Sequence, residues 1–125
     1  MIFLTLEQIL ELHVLVVETT GGSMGLKDLG RLEASIATQT QNVFNEELYP
    51  TTHNKVAAII RAIIADHPFV GGNKRTAMLA GLTLLELNSH TINAKAGEIE
   101  HFAVKIAVKH LDIPQISNWL EKHTI

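Results

Sequence analysis

The sequence predicts a single all-α domain, a compact bundle of about six helices over residues 1–125. Three observations carry that expectation. Apolar residues recur at helical spacing in one segment after another. Residues able to cap a helix stand where those runs begin. Period-two alternation is absent, apart from a short extended piece at Thr91-Ile92-Asn93.

In the first segment Thr5 is the expected cap, with Gln8 as capping-box partner, and Ile9, Leu10, Leu12, His13, Val16 and Val17 follow at helical spacing. Gly21-Gly22-Ser23-Met24-Gly25 reads as a loop. Asp28 caps a second helix whose buried face is Leu29, Leu32, Ile36 and Ala37. Gln39 to Pro50 reads as irregular, and the residue before Pro50 avoids the helical region. Thr52 or Asn54 opens a third helix with the stripe Val56, Ile59, Ile60, Ile63 and Ile64, ending at His67-Pro68. A fourth helix runs from Asn73 to about Asn88. Ala77, Ala80, Gly81, Leu84, Leu85 and Leu87 make it apolar over much of its surface, so it is expected to be central. A fifth runs from Ala96 to Lys109 with Phe102, Ile106 and Val108 inward. A sixth runs from Pro114 to His123 with Ile116, Trp119 and Leu120 inward.

Composition bounds the function. Of the 125 residues 46% are hydrophobic and 18% charged, the balance of a compact globular chain. Cysteine is absent, which rules out disulfides and thiolate metal sites and suits a reducing cytoplasm. The net charge of -3 argues against broad attraction to nucleic acid. No apolar run approaches the roughly 20 residues of a membrane span. Met1-Ile2-Phe3-Leu4 lacks the basic start of a signal peptide.

The chemistry concentrates in His67-Pro68-Phe69-Val70-Gly71-Gly72-Asn73-Lys74-Arg75. Glycines let backbone approach a ligand closely. A helix start offers unpaired N–H groups and partial positive charge to an anion. Lys74 and Arg75 add full charge, and His67 is a base near neutral pH. Phe69 is expected to pack downward and hold the loop so that His67 faces a cleft. Singly each element is ordinary punctuation; together they describe a phosphate cradle beside a proton acceptor. The other histidines, His13 among them, show no metal-ligand spacing and no catalytic signal.

This stretch resembles the Fic motif, H-x-F-x-[D/E]-G-N-[G/K]-R, and its Asn-Lys-Arg ending is similar to the Doc, or death-on-curing, branch of that family. The likeness extends over Leu6 to His13, Gly21 to Asp28, Glu33-Ala34-Ser35 and Glu47 to Thr51. The resemblance implies the all-helical Fic fold and transfer of a phosphoryl or nucleotidyl group from ATP to a protein hydroxyl. His67 would be the general base. Gly72 and Asn73 would shape the anion loop, with the Asn73 amide facing phosphate, and Lys74 and Arg75 would neutralise phosphate charge. The Doc branch implies a toxin held in check by an antitoxin protein, a kinase acting on elongation factor Tu. Lys74, where adenylyl transferases carry Gly, and Met78, where they carry a second Arg, point the same way. Nucleotidyl (AMP) transfer is the alternative within the class. One residue departs from the pattern: Gly71 stands where the family places the carboxylate that binds magnesium. Magnesium held by substrate phosphates and water would survive in weakened form, with Asp66, Glu46 and Glu47 as substitute carboxylates. A homologue with impaired catalysis, acting as a binding protein, is the other alternative.

Overall fold

The computed structural model describes residues 1–125, except for the side chain of Ala96. Its helices are α1 (Leu6–Thr20), α2 (Leu29–Ala37), α3 (Thr52–Asp66), α4 (Asn73–Leu87), α5 (Ala96–Lys109) and α6 (Ile113–His123). The all-α class and the expected helix order hold. The cap chemistry explains most of the starts. Thr5 and Gln8 form a reciprocal capping box on α1, Asp28 accepts from Arg31 N on α2, and Asp112 and Gln115 form a second box on α6. The cap of α3 falls on Thr51, one residue before the expected opening, and its hydroxyl accepts from Asn54 N.

Helix α3 is the hub and packs against α2, α4, α5 and α6. Its residues from Lys55 to Ile60 are buried without interruption. Helix α4 crosses it closely because Gly81 has no side chain: a β-carbon there would run into Ile60. Three expected core positions lie outside instead. Leu29 and Val108 are exposed on the outer faces of α2 and α5, and Ala37 is exposed at the end of α2. On α2 the apolar contact is made by Leu32, with Ile36 half-buried, and the small Ser35 fills the remaining buried position.

Segment 39–50 is more ordered than expected. A 3-10 turn at Thr38–Thr40 leads into a hairpin of β1 (Asn42–Val43) and β2 (Glu46–Glu47), with Val43 opposite Glu46. Phe44 and Asn45 form its tip with φ of 52° and 65°, the hand that suits a two-residue hairpin turn. The buried Lys55 roots this segment, donating from Nζ to the Gln39 carbonyl (3.0 Å) and to Glu47 (3.3 Å). The extended piece at Thr91-Ile92-Asn93 is present, bridging to Thr124 in the C-terminal tail.

Side-chain amides clip distant backbone together. Gln39 bonds both the N–H and the carbonyl of Leu4, and Asn88 does the same for Ile2. A third clip of this kind lies in the motif. No helix among the described residues is long and apolar enough to cross a membrane.

Candidate active site

The motif forms the junction between α3 and α4. Helix α3 ends at Asp66 because His67 turns left-handed (φ 48°), its N–H donating to the Ile63 carbonyl at 3.2 Å, and Pro68 cannot continue the ladder. The chain then runs extended. Leu26 bridges Phe69 antiparallel, the Pro68 carbonyl accepts from the N–H groups of Lys27 and Asp28, and the Val70 N–H donates to Gly25. The glycine-rich loop before α2 is thus the outer wall of the motif. Phe69 packs inward as expected, 1% exposed, and His67 is left exposed.

Gly72 caps α4 in the left-handed region (φ 72°), where only glycine sits without strain. No side chain caps this helix. Among the described residues none accepts from the N–H groups of Gly72, Asn73, Lys74 or Arg75. The four bare donors and the positive end of the helix dipole make a nest of the kind that suits an anion. Lys74 is exposed and forms no ion pair among the described residues. Arg75 is exposed, with Nη1 resting on the Thr20 carbonyl at the end of α1 (3.1 Å). His67, Gly72, Lys74 and Arg75 therefore share one junction.

Asn73 is placed differently. Its Oδ1 accepts from the Phe69 N–H and its Nδ2 donates to the Phe69 carbonyl, each at 3.0 Å. The amide is committed to holding the loop and does not face the nest. The reason is geometric: residues four apart across a tight turn place an amide opposite one residue's backbone, where it makes two bonds at once.

Position 71 explains itself in the same terms. A β-carbon there would lie 3.1 Å from the Ser23 backbone N, so the small residue lets the glycine-rich loop close over the motif. The carboxylates considered as substitutes, Asp66, Glu46 and Glu47, do not gather into a metal site, and Glu47 is paired with Lys55. Among the described residues no three His, Asp or Glu side chains come together to hold a metal ion. Gly71 offers no carboxylate, so a magnesium ion at this junction would be held chiefly by the phosphates of a nucleotide and by water.

Two features were not legible beforehand. His67 borders a cavity of about 180 Å³ between the C-terminal ends of α3 and α5, whose other walls include Arg61, Ile64, Ile106, His110 and Leu111. This gives the His67 imidazole an open side that the motif residues do not occupy. His13, which carried no catalytic signal, is buried (3% exposed) and touches the motif directly. Its ring stacks on Phe69 with centroids 3.8 Å apart and planes 6° from parallel, and its Nε2 donates to the Gly71 carbonyl at 2.8 Å. The available signal was its place on the apolar stripe of α1, between Ile9 and Val16.

The Fic/DOC family profile matches residues 3–85, from the approach to α1 through the buried part of α4. The chain is similar to a protein named Toxin Doc from Mycolicibacterium smegmatis, 30% identical over 99 residues that cover 78% of this chain and 76% of that one. It is also similar to a protein named Protein kinase doc from Escherichia phage P1, 29% identical over 116 residues that cover 84% of this chain and 91% of the relative. The profile spans the hub helix, the junction and the whole bare helix start, so the chain belongs to the Fic/DOC family, on its Doc branch.

Proposed function

We propose that this protein is the toxin of a toxin–antitoxin pair and transfers the γ-phosphoryl group of ATP to a hydroxyl of elongation factor Tu in the cytoplasm. The observation that supports it best is the bare N-terminus of α4 with Lys74 and Arg75 beside the exposed His67. The names of the two relatives, a toxin and a protein kinase, agree with it.

The roles we assign are these. The N–H groups of Gly72 to Arg75 hold phosphate oxygens, and Lys74 and Arg75 offset their charge. Phosphoryl transfer is catalysed mainly by such positioning and charge stabilisation. His67 takes the proton from the acceptor hydroxyl, which approaches from the open cavity beside it. The Asn73 side chain keeps the loop in shape, and only its backbone N–H faces phosphate. Met78 is buried (3% exposed), so the core occupies the place where adenylyl transferases carry a second arginine. That favours phosphoryl over nucleotidyl transfer.

The test uses elongation factor Tu, magnesium and ATP labelled at either the α or the γ position. Label reaching the factor from the γ position, and lost in His67→Ala, is the expected result. Label from the α position makes the protein a nucleotidyl transferase. No label from either, with antitoxin binding intact, leaves a binding protein. Gly71→Asp is the companion variant. It must displace Ser23 by a few tenths of an ångström, which the exposed glycine-rich loop can absorb.

A further inference from the structure

We infer that His13 is a positioning residue that aims the anion loop, a role resting on the reading that this loop takes polyphosphate. The peptide between Gly71 and Gly72 has no β-carbon on either side. Its orientation is therefore set weakly by the chain itself. His13 sets it from outside. A carbonyl only accepts, so the His13 Nε2 carries the proton and draws the Gly71 carbonyl toward α1 at 2.8 Å. In a planar trans peptide the N–H points opposite to the C=O. The Gly72 N–H is thereby turned away from α1 and joins the bare donors of α4.

The same ring grips the loop at a second point. It lies flat on Phe69, whose own backbone is clipped by Asn73. Val16 and Val17 of α1 close the remaining space, 3.4 and 3.8 Å from where a Gly72 β-carbon would stand. A phenyl ring could fill the core by stacking alone. The imidazole adds a directed N–H, and its partner is the carbonyl of the Gly71–Gly72 peptide that leads into the nest.

Three variants of the full chain separate these roles. His13→Phe keeps a stacking ring without the donor. His13→Gln and His13→Met are close in shape, and only the first can donate to Gly71. Binding of MgATP by calorimetry and hydrogen exchange of the amides from Phe69 to Arg75 are measured for each. His13→Gln is expected to bind about tenfold more tightly than His13→Met, the scale of one hydrogen bond. His13→Met and His13→Phe are expected to exchange faster than His13→Gln at the hydrogen-bonded amides of Phe69 and Val70, with helical circular dichroism preserved. Equal affinity and equal exchange in His13→Gln and His13→Met overturn the inference. If the unaltered protein binds no ATP, the proposed function fails, and the exchange comparison still decides the role of His13. If His13→Phe does not fold, the Gln–Met pair carries the test.

Discussion

Two junctions in this molecule begin alike and end differently. Helix α3 stops at His67 and helix α5 stops at His110, each histidine in the left-handed region with φ of 48° and 50°. Each donates its N–H to the carbonyl four residues back, and both border the same cavity. After His110 the chain reaches Asp112, and a full capping box closes the start of α6. After His67 it reaches Gly72, and the start of α4 is left open. A histidine at a strained helix end is therefore no mark of function by itself. The difference lies in what the next helix does with its first N–H groups.

Four measurements break or sharpen that contrast. The largest stability effect is expected from Asn73→Ala, which removes both bonds to the Phe69 backbone in one step. A loss of about 2 kcal/mol in denaturant unfolding is expected. Asp112→Ala at the second junction should cost about 1 kcal/mol, the usual worth of a cap. If Asp112→Ala costs more than Asn73→Ala, the loop clip is not what holds the first junction. Smaller and of opposite sign, His67→Gly and His110→Gly should each raise stability by about 0.5 kcal/mol. Relief of the left-handed strain then slightly exceeds the entropy cost of glycine. A loss in either variant would mean that the imidazole makes a contact stronger than the strain it carries.

The smallest effect concerns a third histidine, at the opposite end of α3. His53 donates from Nε2 to Thr124, whose own proton goes to the Leu120 carbonyl. Burial, with repulsion from the neighbouring His90, holds its pKa below the usual value, and Glu121 offsets this only in part. Below about pH 6.5 the unfolded chain then binds more protons than the folded one. Stability should fall as pH drops through the window between that value and the lower folded one. Urea unfolding at a series of pH values checks this, and His53→Asn should flatten the slope. A slope unchanged in His53→Asn assigns the effect to another group.

The contrast also shows what the sequence could and could not disclose. The nine residues of the motif are consecutive, so their chemistry and their place at a helix start are readable without a fold. The capping box at Thr5 is local for the same reason, whereas the one at Asp112 was passed over because Pro114 drew the helix start to itself. The hairpin at Asn42–Glu47 escaped notice because strands of two residues carry no period. Thr51 was passed over for Thr52 because adjacent hydroxyls give the same local signal. Val108 satisfied the apolar spacing of α5 and still lies outside, since spacing does not say which face meets a neighbour. His13 and the Asn73 clip escaped for a deeper reason. Each is defined by a backbone group that only the folded loop presents.

Under the proposed function the open junction after His67, and not its closed counterpart after His110, performs the transfer. The direct measurement is the initial rate of γ-phosphoryl transfer from ATP to elongation factor Tu in the unaltered protein, His67→Gly and His110→Gly. Both variants relieve the same backbone strain, so stability does not separate them. A fall of at least about 100-fold in His67→Gly, the low end for losing a general base, with His110→Gly close to the unaltered rate, is the predicted result. Transfer that survives in His67→Gly, or that is lost equally in both, would contradict it.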